Sequence, residues 1–203
     1  MSAGAAHPPP EARAAMADAL AALEAAPDGR LGLPDRRRLR AAFGPWAVYG
    51  APGWPDAGAL RRAALLTACA TRALPVWEGA FPADDRPRRL VDLVGAVLRG
   101  EAPEDELRAA TEALRTDVDP MGADPALARP FNAGAAAVRL SYEARDGDLD
   151  PDLHPPDDED HDLDEPPVET LAEWATADDD DARRAYWRWY VAEAFPAAYG
   201  AAP

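Results

Sequence analysis

The sequence contains no lysine, a single cysteine and only two serines, and each scarcity narrows what the protein can be. All 21 basic residues are arginine, which we interpret as the imprint of a GC-rich bacterial genome. The single cysteine, Cys69, cannot form an internal disulfide, so a reducing compartment such as the cytoplasm is expected. No run of about 18 apolar residues is present, and no basic segment followed by an apolar one opens the chain. Neither a membrane span nor a signal peptide is therefore expected.

Residues that would support catalysis are also scarce. Ser2 and Ser141 do not occur in a G-x-S-x-G motif, no phosphate-binding glycine loop is present, and Cys69 falls on an apolar helix face. His154 and His161 lie among aspartates, but their spacing matches no standard metal site, and we interpret them as weak, nonspecific cation binders. The sequence therefore predicts a protein that is not an enzyme and needs no cofactor. A metal-dependent small-molecule binder or hydrolase that uses the two histidines is the alternative.

Strand-forming runs are rare, whereas helical periodicity covers most of the 203 residues. Apolar residues recur three or four positions apart in about seven or eight segments, many of them separated by prolines. This pattern predicts an all-α protein, either an orthogonal or antiparallel helical bundle or a short α-solenoid. We expect a disordered N-terminus over 1–10, a bundle core over 11–145, an acidic, proline-rich segment over 146–167, and C-terminal helices over 168–200 that pack on the core.

Three segments leave a choice between a binding surface and a structural role. The four arginines of DRRRLR, Asp35–Arg40, form either a nucleic-acid patch or a solvated helix face that pairs with the acidic segment, and we favour the second. The aromatics of the Gly/Pro-rich loop Gly44–Asp56 either line a ligand pocket or cover the core, and we favour the core. The aromatic helix near the C-terminus, ARRAYWRWYVAEAF, is expected to close the bundle rather than present an edge to a partner.

The net charge of −16 is concentrated in one segment. From Asp146 to Asp181 there are 17 acidic residues and no arginine, so this segment carries −17, while the rest of the chain, with 20 acids and 21 arginines, sums to +1. A local charge of this size attracts a basic partner and repels nucleic acid. The sequence therefore predicts a basic protein partner, with no nucleic-acid ligand and no membrane.

The middle of the chain, ACATRALPVWEGAFPADDRPRRLVDLVGAVLRGE, contains the most specific pattern. The acidic residues and Pro87 of DDRPR favour the start of a helix, and Gly100 favours its end. We interpret the charged residues of the turn as helix caps and surface ion pairs. The pattern comprises Ala68, Cys69, Ala70, Arg72, Leu74, Pro75, Glu78, Pro82, Asp84, Asp85, Arg86, Pro87, Arg88, Arg99, Gly100 and Glu101.

This string resembles the immunity proteins of bacterial polymorphic toxin systems, specifically a helical family with an LP…DDRPR…RGE signature. The resemblance covers about Leu60–Ala144, and no counterpart of the acidic segment or of the aromatic final helix is recognised in it. It implies an all-helical, noncatalytic protein that binds and neutralises a cognate toxin in the bacterial cytoplasm.

Charge and resemblance together predict an immunity-type inhibitor of a basic toxin. The acidic segment would attract the toxin, and aromatic side chains would then contact it. A helical adaptor whose acidic segment shields its own arginines is a further alternative. The predicted partner-binding residues are Asp157, Asp158, Glu159, Asp160, Asp162, Asp164, Glu165, Trp187 and Trp189.

Overall fold

The computed structural model describes residues 7–44, 52–146 and 166–201, and within these ranges it contains helices and no strand. The helices are α1 (Pro10–Ala25), α2 (Leu33–Ala41), α3 (Ala57–Ala80), α4 (Arg86–Leu98), α5 (Glu104–Val118), α6 (Ala128–Asp146), α7 (Val168–Thr176), α8 (Asp180–Trp189) and α9 (Phe195–Tyr199). Short 3-10 turns, Asp119–Ala123 and Pro125–Leu127, join α5 to α6, and a π-helical turn, Tyr190–Ala194, joins α8 to α9. The prediction of an all-α fold is confirmed.

The chain divides into two compact units, and the boundary between them falls inside α3. Unit 1 contains α1, α2, the start of α3 up to Leu65, and the chain from Ala177 onward. Unit 2 contains α3 from Leu66 together with α4, α5, α6 and α7. Membership does not follow chain order, because α7 packs against α6 whereas α8, which follows it closely, packs against α1.

In unit 1, one face of α1 packs against α2, α8 and the π-helical turn. The buried residues of that face recur three or four positions apart and are Ala12, Ala15, Ala19 and Leu23. Five aromatic side chains of the C-terminal helices are also buried: Tyr186, Trp187, Tyr190, Phe195 and Tyr199. Phe43 stacks on Phe195 with 4.6 Å between the ring centroids. The prediction that the aromatic helix is buried is therefore confirmed.

The π-helical turn between α8 and α9 was not expected from the sequence. Each π-turn adds one residue relative to an α-helix, so the side chains after it are rotated by about 100°. Tyr190 and Val191 lie in this turn and are buried, as are Trp187 before it and Phe195 after it. The rotation helps to explain how most of the aromatic side chains spread around this helix are buried, with Trp189 the partly exposed exception.

The C-terminus of α1 is held by two residues that bring α8 close to it. Gly29 adopts φ +69°, and a Cβ at this position would lie 2.5 Å from the backbone oxygen of Asp180. Arg184 of α8 donates hydrogen bonds to the backbone oxygens of Leu23 and Ala26, the latter at 2.8 Å. Because the last carbonyl groups of a helix have no partner within the helix, an arginine from α8 both satisfies them and offsets the helix dipole.

Two arginines of α2 are buried, although the sequence favoured a solvated helix face for them. Arg38 is exposed and paired with Asp35, but Arg36 and Arg40 are only 6% and 5% exposed. The guanidinium of Arg36 lies over the ring of Trp187, 5.2 Å from its centroid, a cation–π contact. The interpretation of this helix face as solvated is therefore wrong for Arg36 and Arg40. For Arg36 the reason is that an arginine can pack its planar head against an aromatic ring.

Unit 2 is built around α6, which packs against α4, α5 and α7. Its buried face includes Ala133, Ala136 and Ala137, and Gly134 allows the closest approach. A Cβ on Gly134 would lie 2.7 Å from Trp77 of α3 and 2.8 Å from Val118 of α5. Thr111 and Ser141 are buried in the contact between α5 and α6 and hydrogen-bond to each other at 2.9 Å.

Three glutamates are buried where α6 meets α7. Glu143 of α6 accepts hydrogen bonds from Arg139 at 3.1 Å and from the backbone amide of Val168, the first residue of α7, at 3.2 Å. Glu169 and Glu173 lie one turn apart on α7 and are also buried. Two of the 17 acids counted between Asp146 and Asp181 are therefore part of the core of unit 2.

Candidate functional site

The DDRPR turn connects α3 to α4 in unit 2, and the side chain of Asp84 organises it. Its carboxylate accepts hydrogen bonds from the backbone amide of Arg86 at 3.1 Å and from Nε and Nη2 of Arg86 at 2.8 and 2.6 Å. The backbone oxygen of Asp84 accepts a hydrogen bond from the indole of Trp77 at 3.0 Å. The turn is thus attached both to the start of α4 and to a buried tryptophan of α3.

The other charged residues of the turn are paired with one another or with adjacent helices. Nη1 of Arg86 reaches Asp117 of α5 at 2.6 Å, and Nε of Arg88 reaches Glu78 of α3 at 2.7 Å. Arg89 pairs with Asp85 at 3.0 Å. These contacts confirm the interpretation of the cluster as ion pairs, and they join the ends of α3, α4 and α5. The expected cap is not made by Asp85, which occupies the N-cap position of α4 without a side-chain capping hydrogen bond.

The RGE part of the signature forms the C-terminal cap of α4. The amide of Glu101 donates to the oxygen of Ala96 at 2.8 Å, and the amide of Gly100 donates to the oxygen of Val97 at 2.9 Å. Gly100 has φ +70°, as this Schellman arrangement requires. Arg99 and Glu101 form an ion pair at 2.8 Å. A glycine is needed here because other residues are strained at positive φ.

Replacing Asp84 with asparagine is expected to lower the free energy of unfolding at pH 7 by about 1.5 kcal/mol, the scale of a hydrogen bond to a charged group. The hydrogen bonds from Arg86 hold the pKa of Asp84 below its ordinary value. The charged form therefore stabilises the fold above the unfolded pKa of about 3.9, and this contribution is lost as the pH falls through the lower folded pKa. Urea unfolding of both proteins should show a difference that shrinks below about pH 4.

Asp85→Asn is the matched control, because Asp85 is largely exposed and, among the described residues, pairs only with the exposed Arg89. Its effect should stay within about 0.5 kcal/mol. A difference between wild type and Asp84→Asn that does not change with pH would contradict the role assigned to the carboxylate charge.

A groove of about 510 Å³ lies between α4 and α5 and begins at the signature turn. Its apolar lining is only partly covered: Leu90 is buried, but Leu93 and Ala110 keep partial exposure and Ala113 is exposed. The residues that line it are Arg86, Arg89, Leu90, Asp92, Leu93, Ala96, Glu106, Ala110 and Ala113.

The helical periodicity of the sequence predicts that all the apolar positions of α4 and α5 are buried, so it does not indicate a groove between them. The apolar set of α4 follows the helical template without a gap, yet Leu93, Val97 and Leu98 are only half-buried. A signal was present, since five apolar positions on a helix of 13 residues give a stripe wider than the buried face needs.

The predicted partner-binding residues differ in where they lie. Trp187 is 1% exposed, beneath Arg36, so its side chain belongs to the core of unit 1. Trp189 keeps intermediate exposure and lies beside Tyr186, with 5.6 Å between the ring centroids. The seven acidic residues from Asp157 to Glu165, and the two histidines His154 and His161, lie outside the described residues.

Two general classes of site are absent from the described ranges. No group of three or more histidine, cysteine, aspartate or glutamate side chains there is arranged to hold a metal ion. Nor is any of the described helices both long and apolar enough to cross a bilayer. The corner formed by α3, α4 and α5, with its paired charges and open groove, is therefore the candidate site that the described structure offers.

Comparison with known proteins extends the resemblance seen in the sequence. A sequence model of the family described as immunity protein Imm5 matches residues 17–197, most of the chain. The match continues past Ala144 to the final helices, so the limit that the sequence pattern placed on the resemblance was too narrow. Among curated proteins, no match to the chain was found. The length of the family match shows that this chain belongs to the immunity protein Imm5 family.

Proposed function

We propose that this protein binds a cognate toxin in the bacterial cytoplasm and neutralises it without catalysing a reaction. The family match over residues 17–197 is the observation that supports this function. The dense pairing of the signature side chains agrees with a structural role for them, since no catalytic group is left in the turn. The protein inhibits the toxin by binding it in a stoichiometric complex.

We further propose that the toxin is basic and is attracted by the acidic segment. Even without the buried Glu169 and Glu173, 15 acidic residues remain between Asp146 and Asp181, against no arginine. Opposite charges on two proteins accelerate their encounter, and added salt screens this attraction over about 10 Å. The seven acids from Asp157 to Glu165 supply this attraction. Of the two tryptophans predicted to contact the partner, Trp189 is the one that is partly exposed.

The test combines protection with kinetics. The gene should be co-expressed with the toxin-like gene next to it, and the protein should restore growth and co-purify with the toxin at a fixed stoichiometry. With the purified pair, Asp157→Asn/Asp158→Asn/Asp160→Asn is expected to reduce the association rate about tenfold at about 50 mM salt and to flatten its dependence on salt. Stopped-flow fluorescence measures both quantities.

The control is Glu11→Gln/Asp18→Asn/Glu193→Gln, which removes the same charge from exposed positions outside the acidic segment. It should change the association rate much less. Equal rates for the two triple variants would rule out steering by the acidic segment. Failure of the protein to protect against the neighbouring toxin would overturn the immunity function itself.

A further inference from the structure

The charges around the α4–α5 groove are unevenly neutralised. At the end nearest the signature turn, Arg86 is paired with Asp84 and Asp117, and Arg89 is paired with Asp85. Both arginines line the groove, but their positive charges are already offset by neighbouring carboxylates. They therefore contribute little net attraction for an anionic partner.

Two acidic residues of the groove are offset less completely. Asp92 of α4 and Glu106 of α5 are exposed and line the groove, and neither forms a direct ion pair within the described part of the chain. Arg88 attracts Asp92 electrostatically, but its guanidinium is paired directly with Glu78. The surplus charge at the groove is therefore negative. A cationic side chain placed between α4 and α5 would find one carboxylate from each helix.

The apolar part of the groove is formed by side chains of two neighbouring helices, α4 and α5. Small side chains at Ala96, Ala110 and Ala113 leave room between the two helices, and the partly exposed Leu93 supplies apolar area, whereas Leu90 is buried. An amphipathic segment that lays its apolar face in such a groove is a recurrent mode of peptide recognition. Apolar contact provides affinity in this mode, while flanking charges select the partner.

We infer that the α4–α5 groove is the docking surface for a basic amphipathic segment of the partner protein, which contacts Leu93, Ala110 and Ala113 and pairs with Asp92 and Glu106. The identification of that partner as the toxin rests on the proposed function. Charge complementarity selects this occupant over two others. The acidic segment of the same chain would bring like charge to the groove, and an isologous contact with a second copy would bring the same two carboxylates together.

Ala113→Arg tests the apolar contact, and Ala109→Arg is its matched control. Both alanines are exposed on α5 one turn apart, but only Ala113 lines the groove. Random peptides of about 16 residues, long enough for four helical turns, are displayed on phage and selected on the full-length wild-type protein. The enriched peptides should be basic, with apolar residues three or four apart. Their Kd should rise at least about tenfold on Ala113→Arg and stay within about twofold on Ala109→Arg.

Asp92→Asn/Glu106→Gln tests the charges. The control, Asp18→Asn/Glu193→Gln, makes the same change in net charge at exposed positions outside the groove. The groove variant should weaken the selected peptides about tenfold at about 50 mM salt and remove most of their salt dependence, whereas the control should retain it. Fluorescence anisotropy of labelled peptides measures both effects.

Several results would overturn the inference. One is a selection that yields no peptide, or peptides that are not basic or that bind Ala113→Arg as well as wild type. Another is sedimentation showing a wild-type dimer that Ala113→Arg dissociates, because the groove would then bind a second copy. If the protein neutralises a toxin but its groove binds no peptide, this inference alone is rejected. If the groove binds basic peptides but the protein neutralises no toxin, only the immunity function is rejected.

Discussion

Gly134→Ala is expected to lower the free energy of unfolding of unit 2 by about 2 kcal/mol, although alanine is the better helix former by about 1 kcal/mol. The added methyl group would lie 2.7 Å from Trp77 and 2.8 Å from Val118, and both side chains are buried. Trp77 cannot easily move aside, since its indole is hydrogen-bonded to the backbone of Asp84 and its ring packs against Phe81. Overpacking at a site fixed in this way outweighs the gain in helix propensity.

Gly79→Ala provides the control with the opposite sign. Gly79 lies in α3, and a Cβ there would meet nothing within 4 Å. This change should raise stability by about 0.5 kcal/mol through the lower flexibility of the unfolded chain. Urea denaturation of the two variants measures both values. If both glycine replacements stabilise the protein, α6 does not approach α3 and α5 as closely as described.

Glu143→Ala is expected to lower the free energy of unfolding by about 3 kcal/mol, because it breaks a buried ion pair and removes the acceptor of a buried amide. The side chain of Glu143 is fully buried, and it connects Arg139 to the first amide of α7. A carboxylate at this end of α7 also interacts favourably with the helix dipole. Glu143→Gln keeps the shape and an acceptor oxygen but not the charge, so about half of the loss is expected from it.

Glu112→Ala serves as the comparison, since Glu112 also pairs with an arginine, Arg115, but at the surface, where it also accepts a hydrogen bond from the hydroxyl of Tyr142 at 2.9 Å. Its replacement should cost less than about 1 kcal/mol. Urea unfolding gives the loss of stability, and hydrogen exchange at the amides of α7 tests whether this helix is released first. An effect of Glu143→Ala no larger than that of Glu112→Ala would show that the buried pair does not anchor α7.

Helix positions in the described structure were largely predictable from the sequence. The bounds of α4 and α5 follow from Pro87, Gly100 and the acidic first turn of α5, because these residues act on the backbone within one turn of themselves. The start of α8 was predictable for the same reason. Asp179 accepts the amide of Ala182 at 2.7 Å, as an N-cap residue should.

Contacts made by polar residues across helices were not predictable in this way. The charge count treats Glu169 and Glu173 as part of an acidic surface, although both are buried. It likewise treats Arg36 as solvated, although this residue lies over Trp187, 151 positions later in the chain. Periodicity records the spacing of apolar residues along one helix, and it contains no information about which distant side chain will neutralise or cover a charge.

The groove escaped prediction for a related reason. An apolar stripe shows that a helix has a face to bury, but the width of the face that its neighbours cover depends on how the helices pack. Leu93 and Ala110 satisfy the helical template as well as Leu90 and Leu107 do, yet only the second pair is fully covered. Partly covered positions of this kind are where a partner can complete the packing.

The self-paired signature has a consequence for how relatives of this protein should be compared. The charged side chains of the signature are paired with one another or with residues of neighbouring helices, as for Asp84, Arg86, Arg88 and Glu101. They therefore stabilise the fold but are not available to select a partner. Residues such as Leu93 and Ala113 could change without disturbing those pairs. On the proposed function, two related proteins that share the DDRPR turn but differ at those positions would each protect against a different toxin.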